Sequence, residues 1–415
     1  VEGTCPYCGF PEARGDQCDN CGRTLDPTQL LEPRCRLCGN RSVEVRATEH
    51  FFLDLPQLAD RLRTWLQSGK EHWRPNTLNF ALNWLKEGLR PRAITRDLDW
   101  GVPIPLPGYE DKRIYVWFDA VIGYYSASIE WAARRGTPDA WRAWWELGSS
   151  GEDPSRSYYF IGKDNIAFHT IFWPAMLMGF GGLTLPYDVP ANEYMLMGGI
   201  KASTSRGNVI WTRDVLEAYG PDPVRYYLTS VMPETRDTVF THEGLVKHNN
   251  DELVAAYGNA VHRVLTFVQR YFGGVVPDPG AVGEADQAML DTVRQGYTRV
   301  GAAIDAVRLR DGLNEAMTVA RAANRYLDER APWRRIKLDR QGAATTVYVM
   351  IQVIDALKVL FAPYVPFSSQ RLHELLGYQS DVVACPWEPA LVPSGRRLPA
   401  PTPLFAKLDT PHEGA

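Results

Sequence analysis

The chain has 415 residues, of which 45% are hydrophobic and 23% charged, a balance ordinary for a globular protein of two to four domains. No uninterrupted apolar run reaches the roughly 18 residues that span a bilayer, and the opening VEGTCPYCGF lacks both the basic and the apolar region of a secretory signal, so a cytoplasmic protein without a membrane partner is the default expectation. A net charge of −4 excludes a protein that coats nucleic acid through bulk positive charge. It leaves open RNA recognition by a local patch, by shape and by unstacked bases.

Residues 1–40 are rich in Cys, Gly and Pro and too few to bury a core, which predicts a metal-held element. Six of the seven cysteines fall in the first 38 residues, and clustered CxxC pairs read as metal ligands rather than as a disulfide framework. Cys5-x-x-Cys8 and Cys18-x-x-Cys21 can present four thiolates tetrahedrally, the preferred structural site of Zn²⁺. Gly9 and Gly22 suit turns that need positive φ. An iron–sulfur cluster and coincidental surface thiols are the competing readings. With four Cys ligands the site has no open position, so it is structural rather than catalytic. A third pair, Cys35 and Cys38, is either a degenerate knuckle or half of a second metal site whose partners lie upstream of Val1.

Two amphipathic helices are expected between 51 and 90, around FFLDLPQLADRLRTWLQ and NTLNFALNWLKEGL. Tyr115–Asp119 and Tyr158–Ile161 are short apolar runs, each followed by a Gly-containing turn and a helical pattern. Read as strands, they predict an α/β layer with a parallel sheet. Residues 201–208, KASTSRGN, form a cationic, Ser-rich loop after Gly198–Gly199 and before a helix that carries Asp214. Such a loop either surrounds a polyphosphate or is plainly exposed. From Thr241 the pattern becomes helical. Leu253, Tyr257, Val261, Leu265, Val268 and Phe272 recur at close to helical spacing and stop at Gly273–Gly274. Long helical patterns follow near 285–331 and 343–362, the second ending before Pro363, and together these predict an α-helical bundle. The Pro-rich last 20 residues are expected to form a mobile tail.

Taken together, GTCPYCG…GDQCDNCG, TEHFFLDLP, RIYVWFDAVIGYYSAS, FIGKDNIAFHTIFWPAML, KASTSRGN, VLEAYGPDPVRYYL and ANRYLDERAPW resemble, in order, the segments of methionyl-tRNA synthetases from the zinc knuckle to the anticodon-binding bundle. The resemblance implies an incomplete class I Rossmann-type catalytic domain with a zinc-knuckle insertion, followed by an α-helical anticodon-binding domain. The implied map is 1–100 insertion, 101–200 catalytic half-domain, 201–240 KMSKS-like loop and linker, 241–390 bundle and 391–415 tail. It implies a methionine pocket at Trp117, Ala120, Tyr124, His169 and Phe172. ATP contacts fall at Gly162, Asp164 and Lys201, and catalytic phosphate contacts at Lys201, Ser203, Ser205 and Arg206. Asn324, Trp333 and Trp387 are the implied contacts to the anticodon of tRNA(Met). The implied reaction is ATP-dependent formation of methionyl-adenylate, assisted by Mg²⁺, and transfer of the methionyl group to tRNA. No protein nucleophile is required.

The chain departs from the family pattern in three small ways and one large one. Thr204 stands in place of the second Lys of KMSKS, Ala202 in place of a large apolar residue, and Val121 in place of Pro. The family's HIGH-like turn occurs nowhere in the 415 residues. The expectation is therefore a monomeric fragment of an intact synthetase that is inactive alone. The alternatives are a synthetase-like paralogue and a non-catalytic module that binds tRNA or protein.

Overall fold

Three short turns built on CxxC pairs open the chain. The Cys5 N–H donates to the Phe10 carbonyl and the Gly9 N–H to Cys5; the same pattern recurs at Cys18 with Arg23 and Gly22, and at Cys35 with Asn40 and Gly39. Gly9, Gly22 and Gly39 lie at φ 73°, 70° and 69°, where an L side chain is strained. The computed structural model describes residues 1–15, 18–23, 25–148, 155–197 and 210–409, and the backbone of 200–201. They fall into two units, Val1–Glu193 with Glu234–Arg236, and Tyr194–Pro233 with Asp237–Ala415.

In the first unit, strand Glu2–Thr4 pairs antiparallel with Ala13–Arg14 and with Leu31–Arg34. Around these strands Cys5, Ala13, Cys18, Leu25 and Leu30 form one small buried cluster among the described residues, little enough that bound metal has to supply stability. Strand Phe52–Leu53 pairs with Arg92–Ala93, and Thr95–Asp97 with Lys112–Ile114. The two expected amphipathic helices are Ala59–Leu66 and Pro75–Glu87, which turn Leu62, Leu66, Ala81 and Leu85 inward.

The strand expected at Tyr115–Asp119 is not one. Tyr115 is extended, its N–H donates to the Ile94 carbonyl, and its ring lies under the Arg96 guanidinium at 4.0 Å. From Val116 the chain is helical to Arg134. Phe118 and Val121, three residues apart, both turn inward, a spacing that suits a helix and defeats strand alternation. The second apolar run does join a parallel sheet. Ile161–Gly162 pairs with Ala191–Asn192, and Tyr158 bridges to Asp188. The wide-turned π-helix Phe168–Phe172 and the helix Trp173–Phe180 make the crossover between them.

The second unit begins with Met195–Met197, paired antiparallel with Ile200–Lys201 and parallel with Thr238–Phe240. The remainder is a helical bundle. Helix Asn259–Phe272 ends at Gly273 with φ 60°, the left-handed cap expected there. The pattern read as one run over 285–331 is two helices, Glu284–Asp305 and Leu309–Arg330. They are broken at Val307, whose φ is 54°. The two approach closely because position 296 is glycine: a Cβ there would stand 2.7 Å from Val319 Cγ2.

Helix Arg340–Phe361 is long and apolar enough to cross a membrane by composition, but 94% of that stretch is buried inside the protein, as befits the central helix of a bundle. The described part of the tail is not loose, contrary to expectation. Val392, Leu398 and Leu404 are buried in the bundle core, and the Val276 N–H donates to Arg396 while Leu398 N–H donates to Gly274. Proline-rich sequence here lies in extended contact with the helices, where its fixed φ lowers the ordering cost.

One ion pair sits in this core. Lys358 Nζ donates to the Asp355 carboxylate, both side chains are 1% exposed, and the ammonium stands 4.7 Å over the Tyr378 ring. Removing one partner strands a buried charge. Asp355→Ala or Lys358→Ala is therefore expected to destabilise the bundle by about 3–5 kcal/mol in chemical denaturation, and the double change to Leu and Met by much less. Equal losses in single and double variants would refute the pairing.

Candidate active site and metal centre

The Sγ atoms of Cys5, Cys8, Cys18 and Cys21 all lie within 4.8 Å of one another, and none of the four is in a disulfide. Asn20 Nδ2 points at Cys8 Sγ from 3.6 Å and holds that thiol's pKa down. Burial pushes those of Cys18 and Cys21 up. Burying thiolates at such close quarters is unfavourable unless a dication neutralises them, so the donor set fits zinc. The pair Cys35 and Cys38 repeats the turn, and among the described residues no third or fourth His, Cys or carboxylate completes it.

The second cluster is aromatic. Trp117, Ala120 and Tyr124 follow at i, i+3 and i+7 on the Val116–Arg134 helix, so they share one face. Trp117 is 38% and Tyr124 42% exposed, and the small, exposed Ala120 lies between them on that face. Trp117 stacks on Phe168 with centroids 5.1 Å apart. Phe168 meets Phe172 at 5.0 Å, and Phe172 is packed edgewise by Trp84 and Phe118. His169 is 5% exposed. Its Nδ1 lies 2.9 Å from the Asn165 carbonyl, which can only accept, so Nδ1 carries the proton. Nε2 then accepts from the Tyr124 hydroxyl at 2.9 Å. Burial lowers the imidazole's pKa, in keeping with a neutral ring whose two nitrogens are both satisfied. The wall is thus apolar, polarisable and uncharged, and it offers no free donor from the imidazole.

All five pocket residues belong to the first unit. The sequence reading did not single out Trp84, Phe168 and Tyr159, which complete the aromatic contacts. Trp84 carried a weak signal, an aromatic on the apolar side of a predicted helix. Phe168 and Tyr159 carried none, because a ring facing a pocket and a ring in a core have the same spacing. Gly162 ends the parallel strand, and Asp164 lies in the turn that follows it, at the carboxyl edge where α/β sheets place ligands. Of the cationic loop, the backbone of Lys201 pairs with Leu196. Ser203, Ser205 and Arg206 lie outside the described residues.

In the bundle, Trp333 is 38% exposed, and the Arg263 guanidinium stands 4.5 Å over its ring, held by Asp328 at 2.7 Å. Arg263 was missed because a single Arg on an amphipathic helix reads as solvated surface. Asn324 Nδ2 donates to the carbonyls of Ala256 and Ala320, so its amide hydrogens tie two helices together. Trp387 sits elsewhere, its indole N–H donating to Tyr297 and its ring filling the space over Gly301.

The family model for class I tRNA synthetases (M) matches residues 1–265, and that for the anticodon binding domain of methionyl tRNA ligase matches 276–413. The chain belongs to the methionyl-tRNA synthetase family. A methionine–tRNA ligase of Thermomicrobium roseum is 52% identical across 99% of this chain and 74% of its own length. That of Roseiflexus castenholzii is 51% identical with the same coverage. Among solved structures, the Mycobacterium tuberculosis methionyl-tRNA synthetase bound by methionyl-adenylate aligns with a TM-score of 0.78 at 26% identity, covering 93% of this chain and 75% of that one. The apo form of that enzyme gives 0.74 at 28% identity, covering 87% and 69%. The fold class and the family expected from the motifs therefore hold.

Two outcomes test this site. Metal analysis of reduced protein should find one tightly held zinc at the four N-terminal cysteines, and Cys18→Ser should abolish it while melting the knuckle. Retention of a full equivalent in that variant would exclude the assignment. The second concerns acid. With its pKa lowered by the fold, His169 takes up a proton in the unfolded chain, near its ordinary value of about 6.5, before it does so in the folded one. Its contribution to stability is therefore complete above that pH and is lost as pH falls below it. Chemical denaturation of His169→Gln should show a smaller loss between neutral and mildly acidic pH than the parent shows. An unchanged pH slope would count against the neutral tautomer.

Proposed function

We propose that the chain serves methionine–tRNA ligation in the cytoplasm as part of a monomeric synthetase, without activity when alone, with residues 1–100, 101–200, 201–240, 241–390 and 391–415 serving as insertion, catalytic half-domain, phosphate loop with linker, anticodon-binding bundle and tail. The observation that carries the reading is the uncharged aromatic wall around the Tyr124–His169 hydrogen bond. A thioether side chain has no charge and only a weak acceptor, and sulfur against aromatic rings contributes about 0.3–1.5 kcal/mol per contact. Trp117, Ala120, Tyr124, His169 and Phe172 hold the methionine side chain. A cationic or anionic side chain finds no compensating partner there and is rejected by its own desolvation.

In the first step the methionine carboxylate attacks the α-phosphorus of ATP and the bond to pyrophosphate breaks. Gly162 admits the nucleotide by lacking a side chain, and Asp164 accepts hydrogen bonds from the ribose. Lys201, Ser203, Ser205 and Arg206 neutralise and hydrogen-bond the phosphates as negative charge moves to the departing pyrophosphate. Mg²⁺, when bound to the phosphates, adds charge neutralisation there. In the second step a terminal ribose hydroxyl of tRNA(Met) displaces AMP from the adenylate. Zinc at Cys5, Cys8, Cys18 and Cys21 is structural, and Cys35 with Cys38 is a second candidate pair. Trp333, with Arg263 above it, stacks an anticodon base, and the carbonyl of Asn324's amide and the exposed face of Trp387 are further candidate contacts.

Calorimetry with a non-hydrolysable methionyl-adenylate analogue tests the pocket. Trp117→Ala should weaken binding at least tenfold, and an analogue carrying a lysyl side chain should not bind. Equal binding of the two analogues would defeat the reading. For the bundle, Trp333→Ala should weaken an anticodon stem–loop of tRNA(Met) by about 1–3 kcal/mol, the usual worth of one stacked base.

A further inference from the structure

The seventh cysteine, Cys385, lies far in sequence from the six at the N-terminus and is not in a disulfide. It is partly buried against the bundle core and borders a cavity of about 230 Å³ that Lys358, His373, Tyr378, Ser380 and Glu388 also line. Pockets for drug-sized ligands run from about 300 to 1,000 Å³, so this space suits a smaller guest. His373 belongs to the helix Pro366–Leu375 and is 1% exposed. Its Nδ1 stands 3.9 Å from Cys385 Sγ, and its Nε2 stands 3.0 Å from Ser380 Oγ. The ring is stacked on Tyr378 with centroids 4.3 Å apart and planes 5° from parallel. The segment that carries the serine is fastened to the same helix: Gln370 Nε2 donates to the Ser380 carbonyl at 3.2 Å, and Gln370 Oε1 accepts from the Val382 N–H at 2.7 Å. A thiol, a base within reach of it and a third group that orients the base are the parts of an activated nucleophile.

Charge around the imidazole is mixed. Lys358 and Asp355 act on it from the central helix, Glu374 from its own helix and Asp381 from the segment that follows. Burial above all, and then Lys358, lower its pKa, so at neutral pH the ring is uncharged and able to take a proton. With Nε2–H donated to Ser380, Nδ1 turns its lone pair toward the thiol. A second observation points into the same space. Tyr297 is 5% exposed, and its hydroxyl has no hydrogen-bond partner among the described residues. The titratable groups it faces are Asp355, Cys385, Glu388 and Tyr378, and the last three line the cavity. An orphaned buried hydroxyl is unfavourable, and an oxygen added to Cys385 offers it a partner.

We propose that Cys385 is a site of reversible oxidation by small hydroperoxides, with His373 as its proton acceptor and Ser380 as the residue that orients the base. The thiol proton passes to Nδ1 as sulfur attacks the terminal oxygen of the peroxide, and the S–O bond forms while the O–O bond breaks. Sulfur is oxidised to a sulfenic acid and the peroxide is reduced; the proton on Nδ1 leaves with the departing oxygen as water or an alcohol. The site belongs to the second unit and does not rest on the ligase reading.

The test treats the zinc-loaded full chain with hydrogen peroxide and dimedone and follows the adduct at Cys385 by peptide mass spectrometry. At neutral pH the folded chain should form it roughly tenfold faster, or more, than the chain unfolded in urea. His373→Gln should lose that advantage at neutral pH and match the parent near pH 10, where a thiol of ordinary pKa about 8.5 ionises unaided. Ser380→Ala, at an exposed position, should slow the reaction by a smaller factor with the same convergence. In the parent the fast rate should persist below the ordinary imidazole value of about 6.5 before it falls. If His373→Gln does not fold, the folded and unfolded parent and the Ser380→Ala pH profile still decide. A folded rate no greater than that in urea, or adducts at Cys35 and Cys38 with Cys385 unmodified, overturns the site. A loss in either variant that is the same at neutral pH and at pH 10 shows a structural role only and overturns the assignment of the base.

Discussion

The first unit depends on one side chain, Phe172. It is 1% exposed and touches Trp84 of the Pro75–Glu87 helix, Phe118 of the Val116–Arg134 helix and Phe168 of its own turn. The contacts to Trp84 and Phe118 are edge-to-face and that to Phe168 is tilted; together they fix three elements against one another, each pair adding about 0.5–1.5 kcal/mol beyond the area buried. The wide-turned helix from Phe168 to Phe172 shifts its residues out of ordinary α register. That shift lets Phe168 stack on Trp117 while His169, the next residue, reaches Tyr124. Wide turns of this kind are frequent at functional sites. The exposed rings of the wall and the core that holds the unit are therefore one aromatic network, so a change at Phe172 is expected to disturb the proposed pocket and the stability of the unit together.

Polarity inside that network is settled by one backbone carbonyl. Asn165 is one turn before His169, and its carbonyl takes the Nδ1 proton. The tautomer follows, and with it the direction of the Tyr124 hydrogen bond. The imidazole is thereby closed off as a donor without becoming charged. This is a buried polar pair with both partners satisfied, an arrangement that adds specificity without the cost of an orphaned group.

The second unit uses a different economy of burial. Its central helix, Arg340–Phe361, is covered nearly all round, and the segment around Val392, Leu398 and Leu404 closes the core from outside the helices. Polar function is kept to the rim, where Trp333 and Arg263 hold each other in place while staying partly exposed. A cation over an indole face is stabilised by the ring without leaving the surface.

The sequence by itself determined the features that depend on short-range chemistry. Cysteine spacing and the glycines after each pair specified the knuckle turns. Helical periodicity and Gly273 specified the bundle and one of its ends. The ordered run of motifs specified the family and so the fold. Tertiary structure alone decided the rest, because each missed feature is a competition between local signals and distant partners. Tyr115–Asp119 has the composition of a strand, but no neighbouring strand continues past Ile114 and the inward pair Phe118 and Val121 selects a helix. The run over 285–331 carries no proline or glycine at its break, and the packing of its two halves sets it at Val307. The Pro-rich end looks like a tail until the bundle offers it a groove. Trp84, Phe168 and Arg263 gain their roles only from what they touch, and contact between residues remote in sequence is not encoded in any local pattern.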